Sequence, residues 1–446
     1  MKPLPPKGTR DYLPGEVRLR GRVVETVKRV FEGFGYAPLE TPALERLDVL
    51  TGKYGDEADQ LIFRILKRGA AGERGEADLG LRYDLTVPLA RVMAAHQDLP
   101  KPFKRYQIQP VWRAERPQKG RYREFVQCDV DCVGTASVLA DAEMVAVMHE
   151  ALAALGFRDY RISVNHRKLL SAFMDYAGVP PDLKTGAIRA VDKLDKLGRD
   201  GVEAELAAAG IPKPAAGEIS GVLFDPQNSG RVDYYLTAAQ AFAGDLDEGR
   251  EGVAEMEKLA EYVGLFGVPD DVVSYDLHMA RGLDYYTGPI YEAFVAEGGV
   301  GSVAGGGRYD NLIAQLGGPD LPATGTSFGL DRVMTLLGEK EPAGGPAAAA
   351  DILVAVYDES VLAEALEIAS EIRAVGAGCE VYLEPAAKLA KQLGYADDKG
   401  FAFAVIVGPD EVAKGVVQLK DLAKREQVEI SRAELAAAVA AILEGK

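Results

Sequence analysis

Residues 123–133 restrict the fold more tightly than any other stretch of the chain. Val126, Cys128, Val130 and Cys132 alternate there with Gln127, Asp129 and Asp131. Successive side chains of a strand point to opposite faces, so the apolar four share one face, while an amide and two carboxylates share the other. The apolar row needs only packing. The polar row needs water, cations or a ligand. Residues 105–113 read as a second strand, joined to the first by the charged loop 114–122. Positions 101–123 carry eight Lys and Arg against one acid, Glu115, in a chain whose formal net charge is −17. So acidic a chain is no general nucleic-acid coat, and a cationic island within it points to a site for a specific anion. The plain alternative is a solvated basic face.

Periodicity sets the surroundings of this pair. Residues 16–34 read as an amphipathic helix through Val23, Val27, Val30, Phe31 and Phe34. Residues 36–44 are extended, and Pro38 and Pro42 assign them to a sheet edge or an interface, because proline cannot donate to a central ladder. Residues 69–80 read as a polar loop, 81–87 as a strand, and Pro88 as part of the first turn of a helix to about His96. Helix is expected over 141–155 and strand over 160–165. Residues 168–269 read as an Ala-rich, charged helical insertion with no evident chemistry. Strands resume at 272–279 and 290–296, with a Gly-rich stretch at 298–307, a short helix at 308–316 and another at 328–337. Residues 339–350 have linker composition. Beyond them, strands at 351–357, 379–383 and 401–407, helices at 360–375 and 386–394, a hairpin at 416–430, and a last helix opened by a Ser431/Glu434 capping box form a small α/β domain.

At 446 residues the chain has room for two to four domains, and a 48% hydrophobic composition excludes wholesale disorder. Cys128, Cys132 and Cys379 are too few and odd in number for a disulfide framework. No apolar run reaches the ~18–20 residues of a membrane span, and the N-terminus has no signal-like apolar region, so a reduced, cytoplasmic protein without a membrane is expected.

Several chemistries fall away. Residues 299–304 fit a dinucleotide fingerprint, yet the stretch about 20 residues on is the loop 317–320 and not a strand ending in an acid. Close glycine packing beside a ligand explains them better. There is no P-loop pattern. Cys128 and Cys132 lie roughly 13 Å apart on a strand, too far to share one ion. His96, His149, His166 and His278 lack ligand spacing, and no nucleophile signature is present. What remains is arginine: Arg113, Arg116, Arg121 and Arg123 around the loop, Arg281 in Arg281-Gly282-Leu283-Asp284-Tyr285-Tyr286, and Arg332 after the glycines at 325 and 329. Guanidinium grips phosphate bidentately and keeps its charge. The residues alone lead to a nucleotide-using α/β enzyme.

These same segments resemble the histidyl-tRNA synthetase family of class II aminoacyl-tRNA synthetases, over nearly the whole chain. Residues 35–44 resemble class II motif 1, 105–131 with the Arg113-Ala114-Glu115-Arg116 loop motif 2, and 325–332 motif 3. Arg281 to Tyr286 and Gly306-Gly307-Arg308-Tyr309-Asp310 resemble the two histidine-specific motifs. The resemblance implies an α+β fold: an antiparallel sheet flanked by helices with a helical insertion, plus a C-terminal α/β anticodon-binding domain. It implies boundaries at 1–166 and 271–338 for the catalytic domain, 167–270 for the insertion, 339–350 for the linker and 351–446 for the anticodon domain.

The resemblance also implies activation of L-histidine by ATP, with Mg2+ carried by the ATP and no metal site of the protein's own, followed by transfer to the histidine tRNA. Asp84, Leu85, Thr86, Gln127, Asp131, Tyr285 and Tyr286 are then the histidine-binding residues. Arg113, Arg121 and Arg332 bind ATP, Arg281 and Arg113 are catalytic, and Gln118, Lys414 and Lys420 meet tRNA. A homodimer is expected through motif 1. Two departures from the pattern are Thr326, where glycine or a larger apolar residue is expected, and Lys424-Arg425, where a Thr-Gly turn is common. The alternative from another class is a synthetase-like histidine-sensing regulatory subunit of histidine biosynthesis; the intact motifs and the presence of 351–446 argue for the enzyme.

Overall fold

The computed structural model describes residues 3–53, 59–118, 120–226, 228, 230–244, 246–280, 285–296, 299–340, 348–385 and 387–444. It divides into two compact units, residues 1–11 with 19–340, and residues 12–18 with 341–446.

In the first unit β1 (Ala37–Pro38) is followed by β2 (Leu44–Arg46), β3 (Arg64–Leu66) and β4 (Ala77–Leu81); the last three form a small antiparallel sheet in the order β2-β4-β3. The main sheet adds β5 (Phe103–Trp112), β6 (Glu124–Val133), β7 (Tyr160–His166), β8 (Val273–Tyr275), β9 (Pro289–Val295), β10 (Ser302–Arg308) and β11 (Ala323–Gly329). Its order is β1-β5-β6-β11-β10-β9-β7-β8. The inner pairings are antiparallel, and only the edge strands β1 and β8 run parallel to their neighbours. Pro38 sits at the edge, as its missing N–H requires.

One face of this sheet is dry. Val126, Cys128, Val130 and Cys132 are buried, and Phe31 of the helix Pro14–Gly33 packs its ring 5.9 Å from Tyr106 and 6.0 Å from Phe328. The helix Val138–Ala154 is buried almost all round, since it lies between β11 and the helix Asp247–Leu265 of the insertion. The insertion, between β7 and β8, contains the helices Arg167–Tyr176, Lys184–Val191, Leu194–Ala208, Lys213–Leu223, Val232–Ala243 and Asp247–Leu265.

In the second unit β12 (Ile352–Val356), β13 (Cys379–Val381) and β14 (Phe403–Val407) run parallel, and β15 (Val416–Asp421) and β16 (Glu426–Ser431) complete the order β13-β12-β14-β15-β16. Val354, Val356, Ile368, Val405 and Val407 form the centre of its core. Among the described residues no helix is long and apolar enough to cross a membrane.

Some local expectations fail. The strand expected at 81–87 ends at Leu81, because the Asp84 carboxylate takes the N–H of Val87 at 3.0 Å and a helix, Thr86–Ala95, has already begun. The loop 69–80 accordingly contains most of β4. The helix expected at 308–316 is only a 3-10 turn at Ala314–Leu316, since Arg308 still belongs to β10 and Gly317 turns left-handed at φ 79°. The helix expected at 386–394 spans Leu389–Lys399, running through Gly394 to a left-handed Gly400. The Ser431 side chain makes no capping bond, because a 3-10 turn, Arg432–Glu434, precedes the last helix. Arg425 adopts φ 57°, a conformation that glycine takes without a steric penalty; this is where a glycine was expected.

Candidate active site

The second face of the main sheet is polar because of register. Cross-strand partners Gln107, Asp129, Ser327, Gly305, Glu292, Ser163 and Ser274 form one continuous row over seven strands. Directly paired residues share a face. The next row begins Arg105, Asp131, Gly325, Gly307. Above the rows lies a cavity of about 480 Å³.

At one end the cavity is acidic. Asp131, 3% exposed, has Oδ2 2.8 Å from Nη2 of Arg105, and its Oδ1 accepts a hydrogen bond from the Tyr309 hydroxyl. Arg105 is fully buried and also donates to the carbonyl of Leu85 at 3.1 Å and to Oε1 of Gln107 at 3.3 Å. Burial pushes the Asp131 carboxyl up against the pull of Arg105. Asp129, 2% exposed, is pushed up to about 7 by burial, opposed by Arg105 and reinforced by Asp131. Asp84 and Thr86 complete this end, with Tyr285 and Tyr286, whose rings meet edge-on at 4.9 Å. Gln127 donates to Ser327 Oγ at 2.8 Å; its Oε1 is buried without a hydrogen-bond partner among the described residues.

The floor is bare backbone. A Cβ on Gly325 would lie 2.0 Å from Asp131 Oδ1, and one on Gly306 would lie 1.9 Å from the Gly325 carbonyl. Glycine is required here by close approach and not by its φ.

At the other end the wall is cationic. Arg113 donates from Nε to the Tyr83 carbonyl at 3.1 Å, and its guanidinium lies 4.3 Å from the Tyr83 ring centre and 5.2 Å from that of Phe125. Stacking fixes the guanidinium, and among the described residues no carboxylate pairs with it. Arg121 lies 3.8 Å from Glu115, and Arg332 donates to the Ser302 carbonyl at 2.5 Å. These three arginines also border an adjoining pocket of about 190 Å³ that includes Tyr122, Phe125 and Val303.

The structure therefore brings Asp84, Thr86, Gln127, Asp131, Tyr285, Tyr286, Arg113, Arg121 and Arg332 to one cavity. Leu85 is not in its wall; the side chain is buried and its carbonyl is engaged by Arg105. Gln118 lies outside the wall, paired through its backbone with Arg121 at 3.0 and 3.1 Å. Lys414 ends the helix Pro409–Lys414 and Lys420 is on β15, both in the second unit. Arg281, with Gly282, Leu283 and Asp284, lies outside the described residues, as does Lys119.

Several wall residues escaped the sequence reading. Ser163 and Glu292 join through register alone. Asp192, Asp195 and Lys196 come from the insertion, with His278 beside them; His278 Nε2 and Arg161 Nη2 each lie 3.4 Å from Asp195. Asp192 follows the helix Lys184–Val191, and Asp195 and Lys196 open the next, Leu194–Ala208, so a break between two helices that the charged composition of the insertion hid brings them together.

Comparison with known proteins gives the same picture. Residues 8–333 match the family model for histidyl-tRNA synthetase and residues 351–442 that for an anticodon binding domain. The histidine–tRNA ligase of Gloeobacter violaceus is 43% identical over 95% of both chains, and that of Cytophaga hutchinsonii 41% identical over 96% of this chain and 98% of its own. The crystal structure of histidyl-tRNA synthetase from Nostoc sp. PCC 7120 superposes with a TM-score of 0.83 at 33% identity, covering 98% of this chain and 99% of that one. A Bacillus halodurans structure described as an ATP phosphoribosyltransferase regulatory subunit/histidyl-tRNA synthetase shares the fold at 22% identity and a TM-score of 0.75. With a polar sheet face carrying carboxylates at one end and arginines at the other, and with this likeness along its length, the chain belongs to the histidyl-tRNA synthetase family.

Proposed function

We propose that the cavity is where L-histidine and ATP react, as the first half of a histidine–tRNA ligase cycle. The observation that carries this reading is the polarity of one continuous cavity: carboxylates that suit a cationic amino acid face arginines that suit a triphosphate. The histidine carboxylate attacks the α-phosphorus of ATP, releasing pyrophosphate and forming histidyl-adenylate. A ribose hydroxyl at the 3′ end of the histidine tRNA then attacks the acyl carbon and AMP leaves. No covalent enzyme intermediate is required, so the protein acts by positioning and charge neutralisation.

Asp84, Thr86 and Gln127 receive the α-ammonium, and Asp131 and Tyr286 the imidazole, with Tyr285 packed beside them. Arg113 and Arg281 hold the α-phosphate, while Arg121 and Arg332 hold the rest of the nucleotide. Mg2+ enters as part of the MgATP substrate. Residues 351–446, with Lys414 and Lys420, serve the tRNA anticodon, and Gln118 its acceptor end. The working form is a cytoplasmic homodimer; a monomeric mass by light scattering at micromolar concentration with full activity would remove that part. A histidine sensor without aminoacylation is not favoured, because full-length relatives named as ligases match both the catalytic and the anticodon segments.

Histidine-dependent exchange of pyrophosphate into ATP is the direct test. Asp131→Ala is expected to raise the histidine KM by about two orders of magnitude or more and the ATP KM little, since a buried polar partner is lost on one substrate only. Equal changes in both constants would take Asp131 out of the amino-acid subsite.

A further inference from the structure

We propose that Asp129 balances the charge of the cavity: it holds a proton while the cavity is empty and releases it to solvent when the α-ammonium of histidine enters beside Asp84. The proposal rests on reading the cavity as a histidine site.

Asp129 lies between Gln127 and Asp131 on the polar face of β6, is 2% exposed, and lines the cavity. The groups facing it come from several elements: Arg105 and Gln107 from β5, Ser327 from β11, and Asp84 from the turn before the helix Thr86–Ala95. Tyr285 is also within electrostatic reach, and Arg113 and Glu292 stand farther along the walls. Arg105 is the one fully buried cation in this group among the described residues, and it is already engaged by Asp131, Leu85 and Gln107. Among the described residues Asp129 itself receives only a long hydrogen bond of 3.4 Å from Gln127 Nε2 and one from Ser327. Two adjacent buried carboxylates cannot both stay ionised beside one shared arginine at low cost. Burial accordingly raises the Asp129 carboxyl to about 7.

A second observation shows that the vacancy in charge is meant for a donor. Gln127 lines the same cavity and is nine-tenths buried, and its Oε1 is enclosed there with no hydrogen-bond partner among the described residues. A buried acceptor without a donor calls for a ligand N–H. An ammonium group supplies both the N–H and the positive charge. One proton leaves Asp129 as one cation arrives, so the net charge of the site is unchanged.

The cation binds the ionised carboxylate, so below pH ~7 it must displace a proton, and affinity falls by up to about tenfold per pH unit; above that it levels off. The experiment is calorimetric titration of the full-length protein with L-histidine from pH 6 to 8.5, in two buffers of different ionisation enthalpy. The ligand's imidazole also titrates in this range, and the α-ammonium of histidine lowers it, so each proton count is corrected for the separately titrated ring of that ligand before histidine is compared with imidazolepropionate, which has the ring but no α-amino group. The wild-type protein is expected to release more protons with histidine than with imidazolepropionate near pH 6.5. Asp129→Asn should abolish this excess, weaken histidine by about tenfold or more at pH 8, and change it much less at pH 6. Imidazolepropionate should bind both proteins alike. Equal proton release for the two ligands in the wild type overturns the proposal, whether or not the variant folds. So does a variant that loses both ligands equally at every pH. Failure of the wild type to bind histidine at all would instead remove the histidine reading beneath it.

Discussion

Arg113→Ala is expected to lower kcat for histidine-dependent pyrophosphate exchange by ~100-fold or more while leaving the melting temperature nearly unchanged. Adenylation brings an anionic carboxylate to an anionic phosphate, and negative charge accumulates on the α-phosphate oxygens as the new bond forms. A donor already aimed at that charge is worth ~2.7–4 kcal/mol of barrier. Arg113 has the pre-aimed character in this structure. Its Nε is tied to the Tyr83 carbonyl, its plane is stacked between Tyr83 and Phe125, and no described carboxylate competes for it. Side-chain entropy is therefore already spent before ATP arrives. Arg113→Lys should recover only part of the rate, because an ammonium can neither stack as a plane nor donate in a fork. A loss expressed wholly in the ATP KM, with kcat intact, would mean that Arg113 binds ground-state nucleotide and does not act in the transition state.

Arg308→Ala should have the largest effect on stability. Arg308 is 4% exposed and ties β10 to the start of the helix Val138–Ala154. It donates to the buried Asp141 and, at 3.2 Å, to the carbonyls of Thr135 and Ser137, and it reaches Asp310 at 3.3 Å. Removing one partner of a buried pair leaves the other charge uncompensated, which costs roughly 3–5 kcal/mol. Against total stabilities of about 5–15 kcal/mol this is enough to unfold a marginal domain. The pH dependence identifies the cause. Burial already holds Asp141 up at about 6 despite Arg308. A carboxyl raised in the folded state gives its stability below its unfolded pKa and loses it as pH rises through the folded pKa. Without Arg308 the folded pKa climbs further, so the variant should be hurt more at pH 8 than at pH 5 in urea denaturation. Equal losses at both pH values would assign the damage to the carbonyl bonds and packing and acquit the buried charge.

How much of this was readable in the chain depends on the range of the signal. The alternation at 126–132 is local, and it announced both the dry face and the polar one. Proline at 38 announced an edge by its missing N–H. The arginines pointed to an anion site, and Arg113, Arg121 and Arg332 do line one cavity. Sheet register is not local: Ser163 and Glu292 lie on strands that read as ordinary, and they reach the cavity only because β7, β9 and β10 align them with Asp129. The same blindness hid the insertion residues Asp192, Asp195 and Lys196, whose helices showed only charge and alanine. Asp129 was visible on the polar face from the start, but its weight comes from being buried beside Asp131 with one shared arginine, which no pattern of letters conveys. Helix boundaries failed where side chains overrode spacing, as at Asp84, whose carboxylate starts a helix inside what alternation marked as strand.

The bare floor at Gly306 and Gly325 has a one-sided consequence for changing what the cavity accepts. Glycine is already the smallest residue, so no substitution there can deepen the site, and even one methyl group would collide with Asp131 or with the Gly325 carbonyl. Mutation at the floor can only shrink the site. A variant that accommodates a bulkier amino acid has to be obtained from the walls, at Asp131, Tyr285 or Tyr286, where volume can be removed but where, on the reading proposed above, the polar groups that meet the ligand also stand. Enlargement and loss of discrimination are thus coupled by geometry, and a drift in substrate size along this lineage would register first as a drift in charge preference.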